Sequence, residues 1–313
     1  MSEQQLSASV VHEVKKAVVG KDEIVVKVLM AILARGHVLL EDIPGVGKTT
    51  MAIAFSKALG LDYNRVQFTP DVMPSDLTGF SLYNKATGQM EYQPGALLCN
   101  LFLADELNRA TSRTQSAVLE AMEEGRVTVD SVSHPIPDPF LVIATQNPTG
   151  ASGTQLLPDS QLDRFAIRLS MGYPSADDEL ELLRRKLRGT ASEPVEQVAD
   201  HAQLTQLRAQ VDQIFVHDAV LDYILRLILN TRTHPRLAQG ASPRAAISVA
   251  SLSRAAAFLR GRDYVVPEDV QYIWGDAIAH RLVLPAGAAG SANSAAQIAA
   301  EVLGAVRPPR NTR

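Results

Sequence analysis

Short apolar runs and helical periodicities alternate along the first half of the chain, and helical periodicity alone fills most of the second. His37-Val38-Leu39-Leu40, Leu101 to Ala104 and Phe140 to Thr145 are brief apolar runs, the last two leading into polar residues. Runs of this kind fit central strands of a parallel sheet covered on both faces. Tyr63 to Phe68 and Phe165 to Leu169 read as further strands. Residues 22 to 34 carry the spacing of a buried helix that Gly36 would stop; Met51 to Leu59 and Ser112 to Glu124 are also helical in pattern. Two segments read as hairpins: Phe80 to Tyr92, turning at Lys85-Ala86-Thr87-Gly88, and Arg126 to Ile136, turning at Asp130-Ser131. Strands alternating with helices imply an α/β core with a mostly parallel sheet.

From about Ser175 the strands give way to helices. Leu180 to Leu187, Leu204 to Ile214, Ala219 to Leu229, Pro243 to Leu259 and Pro267 to Ala279 follow one another. Asp218 and Ser242 are the expected N-caps, and Pro243 and Pro267 suit first helical turns. An Ala/Gly/Ser-rich loop is expected over Ala286 to Ser294, then a last helix over Ala295 to Val306 and a Pro/Arg tail. The chain thus divides into an expected sheet domain, residues 1–175, and an all-helical domain, residues 176–313.

The junction between the first apolar run and its helix carries the strongest chemical signal, DIPGVGKTT at residues 42 to 50. A glycine-rich turn between a strand and a helix gathers backbone N–H groups at the positive end of the helix dipole, which suits a polyphosphate. Gly45 and Gly47 would supply unusual backbone angles, Lys48 would reach the outer phosphates and the Thr49 hydroxyl would hold Mg²⁺. Asp42 stands where the common pattern has its first glycine. A chance Gly-Lys-Thr in a surface turn would lack the strand before it and the helix after it.

Composition narrows the remaining choices. With 46% hydrophobic and 20% charged residues among 313, there is material for sizeable cores. A net charge of −4 gives no basic footprint for nucleic acid. Cys99 is the only cysteine, which rules out an internal disulfide, and it reads as a small core residue. The seven histidines lack zinc-like spacing. The first residues carry no basic region followed by an apolar stretch, and no run approaches a membrane span, so a cytoplasmic protein without membrane insertion is expected.

Asp105 and Glu106 end the second apolar run. At a phosphate site, adjacent carboxylates can divide two tasks, one holding Mg²⁺ and the other deprotonating an attacking water. A solvated acidic turn is the alternative, but a kinase would need no water-activating acid. Asn147, in ATQNP, could sense a γ-phosphate if its strand neighbours the phosphate-loop strand; Asn before Pro is also an ordinary turn signal. Arg164, in LPDSQLDRF, could stabilise transition-state charge on a neighbouring subunit's phosphate, or form a local ion pair with Asp163 or Asp159. Arg244 lies in a first helical turn, where a cation opposes the dipole, and an external anion would explain it.

The ordered set VVGKD (18–22), DIPGVGKTT, QFTPDVMPSDLTG (67–79), LFLADELNRA (101–110), ATQNP, LPDSQLDRF and GASPRA (240–245) resembles the MoxR-type AAA+ ATPases over nearly the whole chain. The resemblance implies an αβα nucleotide domain, a helical lid and a hexameric ring. It implies Walker A at Asp42 to Thr49, with ATP held by Pro44, Gly45, Val46, Gly47, Lys48, Thr49 and Thr50, and Val19 and Gly20 beside the adenine. It further implies Walker B at Leu101 to Glu106, Mg²⁺ on Thr49 and Asp105, and Glu106 as base. Asn147 would be sensor 1, Arg164 the arginine finger and Arg244 sensor 2. The two hairpins would be the helix-2 and pre-sensor-1 insertions.

Members of that family remodel partner proteins or help to load metal cofactors, often with a separate von Willebrand factor A domain protein. An ATP-hydrolysing motor acting on a client protein is therefore the leading expectation. The alternatives are an ATP-dependent scaffold with little turnover and a nucleic-acid-associated ring ATPase.

Overall fold

The computed structural model describes residues 2–41, 45–146, 157–188, 194–285 and 294–310. The chain opens with α1 (Glu3–Ala17), an element additional to those expected, capped by Ser2 in a reciprocal box with Gln5. Its buried Leu6, Val10 and Val14 recur every four residues. That stripe is too narrow to stand out in a polar stretch. α2 (Asp22–Leu33), β1 (Val38–Glu41) and α3 (Lys48–Ala58) follow. After α2 it is Arg35, not Gly36, that takes the left-handed backbone, at φ 55°. Gly36 is needed for a different reason: a Cβ there would collide with the side chain of Ala166.

β2 (Tyr63–Gln67), the short α4 (Pro74–Thr78) and the hairpin β3 (Gly79–Asn84) and β4 (Gln89–Pro94) come next. β5 (Leu101–Asp105), α5 (Ser112–Glu124) and a second hairpin, β6 (Arg126–Val129) and β7 (Val132–Pro135), precede β8 (Leu141–Gln146). α6 (Asp159–Leu162) and β9 (Ile167–Leu169) complete the strand-bearing part. Among the described residues the five central strands run parallel in the order β2-β5-β8-β1-β9. Both hairpins are antiparallel and stand apart as two-stranded sheets. They are joined by a ring stack, Tyr92 on His134, with centroids 3.6 Å apart.

Alternation along each strand feeds two cores. Val38, Leu40, Leu101, Leu103, Leu141 and Ile143 face α1, α2 and α3. Leu39, Phe102, Ala104, Val142 and Ala144 face α5 and the elements beneath the hairpins, and Cys99 is buried with them. Burial pushes the Cys99 thiol up to about 12, which makes it inert packing material.

Among the described residues after β9 the main elements are helices: α7 (Ala176–Leu187), α8 (His201–Gln213), α9 (Asp218–Arg232), α10 (Pro243–Leu259), α11 (Pro267–Ile278) and α12 (Ala295–Ala305). Ser242 caps α10 as expected, through a hydrogen bond from the Ala245 N–H. For α9 the cap is His217, whose Nδ1 accepts from the Ala219 N–H; Asp218 is the first helical residue instead. There its negative charge still favours the helix start. Asp269 is fully buried at the start of α11 and is neutralised by Arg260 and Arg262. The Trp274 indole donates to the Ala299 carbonyl at 2.8 Å and so seats α12. The apolar cluster on the α3 face continues without a break into these helices. Apart from Ser294, the loop expected over Ala286 to Ser294 lies outside the described residues.

Candidate active site

β1 leads toward the phosphate loop, which is described from Gly45 onward. Asp42 and Pro44 lie outside the described residues. Gly45 and Gly47 have φ of +87° and +95°, conformations that an L side chain rarely adopts. Gly47 is the N-cap of α3 and offers no side chain to its first turn. The first turn of α3 thus sits at the positive end of the helix dipole, the setting that suits an anion.

It opens onto a cavity of about 280 Å³ lined by Gly45, Gly47, Lys48, Thr49, Thr50, Asp105 and Glu106. A second cavity of about 490 Å³ shares Gly45, Gly47 and Thr50 with it. Its further walls are mainly apolar: Val18, Val19, Val46, Tyr173, Leu182 and Leu183. Lys21 Nζ donates to the carbonyls of Gly172 and Tyr173, fixing the chain that forms one side. A polar pocket at a helix N-terminus, continuous with an apolar one, matches a nucleotide's phosphates and base. Gly20 is not among the lining residues. Its φ of +70° makes the turn, and a Cβ there would strike the Asp178 carboxylate at the start of α7.

β5 delivers Asp105 to the same cavity by strand periodicity, on the face of Leu101 and Leu103. Asp105 Oδ2 accepts from Arg65 at 2.7 Å and stands 3.5 Å from the Thr49 hydroxyl. Its Oδ1 accepts from the Thr145 hydroxyl at 2.7 Å. Glu106 breaks the strand with φ of 58°, and its carboxylate pairs with Arg109 at 2.8 Å. Thr49 and Asp105 present hard oxygens to each other, the donor type that Mg²⁺ takes. Among the described residues no three His, Cys, Asp or Glu side chains gather into a metal site. A cation here would need phosphate oxygens and water to complete its shell, which is how Mg²⁺ is usually held with nucleotides. The residues fit that ion.

β8 does neighbour β1, with Leu40 opposite Thr145 and Glu41 opposite Gln146. It carries the chain toward Asn147, which lies outside the described residues.

Arg164 and Arg244 line neither of these two cavities. Arg164 pairs with Glu123 Oε2 at 3.1 Å, and Arg244 pairs with Glu123 Oε1. The partner of Arg164 is thus Glu123 on α5, not Asp163 or Asp159. Asp163 is turned toward the helices, where it accepts from the Ser242 hydroxyl at 2.9 Å and lies 3.1 Å from Arg281 Nε. The anion expected beside Arg244 is supplied by the same chain. Arg281 also donates to the Phe165 carbonyl at 2.8 Å, gripping the backbone after Arg164, and burial lowers its pKa to about 10. Arg65, Arg109, Glu123, Thr145 and Arg281 were not legible as site residues, because each acts through a contact between elements far apart in sequence or on a turn the pattern did not resolve.

The fold and the phosphate loop define a P-loop ATPase of the AAA class. The model of the ATPase family associated with various cellular activities (AAA) matches residues 37–167, and that of the AAA lid domain matches residues 229–302. Chaperone MoxR1 of Mycobacterium tuberculosis is 40% identical over 88% of this chain and 74% of its own length. YeaC, an uncharacterised protein of Bacillus subtilis, is 44% identical over 97% of this chain and 95% of its own. A crystal structure from Cytophaga hutchinsonii, described as a candidate ATPase, superposes with a TM-score of 0.91 at 35% identity, covering 98% and 96% of the two chains. The chain belongs to the MoxR-type AAA+ ATPases. No helix among the described residues is long and apolar enough to cross a membrane.

Proposed function

We propose that this protein is a Mg²⁺-dependent ATP hydrolase of the cytoplasm that assembles into a ring, most simply a hexamer, and remodels a separate partner protein. Lys48 and the first-turn N–H groups of α3 bind the phosphates in the ground state. Thr49 and Asp105 would hold Mg²⁺, which when bound neutralises charge on the phosphates. Glu106 takes the proton from the attacking water as its oxygen bonds to phosphorus and the β–γ bridging bond breaks. Asn147 orients that water, Val19 lines the base pocket, and Gly20 makes the turn beside it.

The observation that carries the ring is the separation of charges. Lys48, Asp105 and Glu106 share one cavity, whereas Arg164 and Arg244 border another with Glu123. Two arginines held together away from their own nucleotide cavity suit the γ-phosphate of a neighbour's. The client is reached through the hairpins, where Tyr83 and Met90 are 56% and 62% exposed on one face. A von Willebrand factor A domain protein, or an apoprotein awaiting its metal centre, is the kind of partner such a motor serves. Phosphate release measured over a range of protein and Mg²⁺ concentrations tests the hydrolase. Pull-down with Glu106→Gln in ATP tests for the client.

A scaffold with little turnover has one observation in its favour. Asp105 and Glu106 are both engaged by arginines, Arg65 and Arg109, so the pair is not free to act as it stands. A protein that hydrolyses ATP negligibly with and without its partner, while still assembling in ATP, would fit that reading.

A further inference from the structure

We propose that Thr145 is the positioning residue that aims both carboxylates of the hydrolytic site. Its side chain is fully buried at the end of β8, on the face shared by Leu141 and Ile143. That face also carries Asp105 on β5, one step beyond the paired Ala104 and Ala144. The hydroxyl has one proton, and it is given to Asp105 Oδ1 at 2.7 Å. An oxygen lone pair then accepts the backbone N–H of Glu106 at 2.8 Å.

Both directions of the hydroxyl are thereby committed, and each has a consequence. Holding Oδ1 turns Oδ2 toward Thr49, the other oxygen proposed for the cation. Holding the Glu106 N–H pins a residue whose φ of 58° is unfavourable for a side chain of that size. A sparsely populated backbone angle persists only where its surroundings enforce it. Thr145 is one of those enforcements, and it links the metal-binding carboxylate to the base through a single oxygen.

The inference rests on the reading of Asp105 as metal ligand and Glu106 as base. Two substitution pairs isolate the hydroxyl from the bulk of the side chain. Thr145→Val keeps the volume and loses the oxygen, while Thr145→Ser keeps the oxygen and loses the methyl group. Thr145→Ala differs from Thr145→Ser by that oxygen alone, and it replaces the valine variant should the latter not fold. We expect Thr145→Val to lower kcat about 10- to 100-fold, the usual cost of removing a partner of a metal ligand. ATP affinity in EDTA should stay within about threefold of wild type, since Lys48 and the loop are untouched, while the Mg²⁺ needed for half-maximal tightening of ATP should rise about tenfold. Thr145→Ser should recover kcat to within about threefold despite a lower melting temperature from the lost methyl group.

Normal kcat and Mg²⁺ dependence in the folded valine or alanine variant overturns the proposal. So does a serine variant as impaired as valine, which would mean that packing alone matters. Glu106→Gln is run alongside: if it hydrolyses ATP normally, the base assignment fails, whatever the Thr145 series shows.

Discussion

Arg164 and Arg244 meet across the join between sheet and helices because Glu123 takes one guanidinium on each carboxylate oxygen. An exposed ion pair of this kind contributes about 0–1 kcal/mol. The arrangement holds the two arginines as a pair at little cost. The loop before Arg164 is fastened to the helices through Asp163, Ser242 and Arg281.

If Arg164 serves a neighbour's nucleotide, hydrolysis per protomer should rise with protein concentration as rings form. Arg164→Ala should lower kcat about 10³-fold or more. Mixing it with Lys48→Ala should restore part of the rate, because a mixed interface pairs an intact phosphate loop with an intact finger. Phosphate release from mixtures shown to share rings decides the matter; no recovery would mean that Arg164 acts only within its own chain.

Lys48→Ala should abolish tight ATP binding, while Glu106→Gln should bind ATP near normally and turn over at a small fraction of the wild-type rate. Lys48 meets phosphate in the ground state, whereas Glu106 acts on water. Fluorescent-nucleotide titration and single-turnover hydrolysis separate the two. Equal loss of affinity in both variants would remove the division of labour.

Replacing Lys85 to Gln89 with a short Gly-Ser turn should leave ATP binding unchanged and weaken remodelling of the client. Tyr92→Ala should act similarly at a distance from the turn, by removing the stack on His134 that couples the two hairpins. Full remodelling by both folded variants would free the hairpins of that role.

Stability should fall as the pH drops from about 6.5 to 4. His37 is held neutral: Nδ1 accepts from the Val142 N–H at 3.0 Å, and Nε2 lies 3.1 Å from the Met122 carbonyl it donates to. Burial lowers its pKa from 6.5 to about 4, and burial drives His280 the same way. The unfolded chain takes up a proton near pH 6.5 that the folded chain resists until about pH 4, so the contribution is complete above 6.5 and lost on the way down. A tenfold change in proton affinity is worth ~1.4 kcal/mol, so His37 accounts for on the order of 3 kcal/mol. Urea midpoints at stepped pH should show this slope, and His37→Gln, which cannot titrate, should reduce it, leaving the share that His280 contributes.

Much of this molecule could be read from residue order alone. The central strands, α5, α10 and both hairpins follow from periodicity and turn residues, which are local properties of the chain. The glycines at 45 and 47, followed by Lys48 and Thr49, fix a phosphate loop because backbone angle, N–H direction and helix start are set within a few residues. What tertiary structure alone decided is which strands lie side by side and which distant side chains share a partner. The pattern puts Asp105 in step with Leu101 and Leu103, and Thr145 in step with Leu141 and Ile143, but not β8 beside β5. Likewise Arg164 had two acids within five residues, and its partner proved to be Glu123, because Asp163 was claimed by helices folded from later sequence. Side-chain pairing is settled by the full set of competing charges and packed surfaces, and those exist together only once the chain has folded.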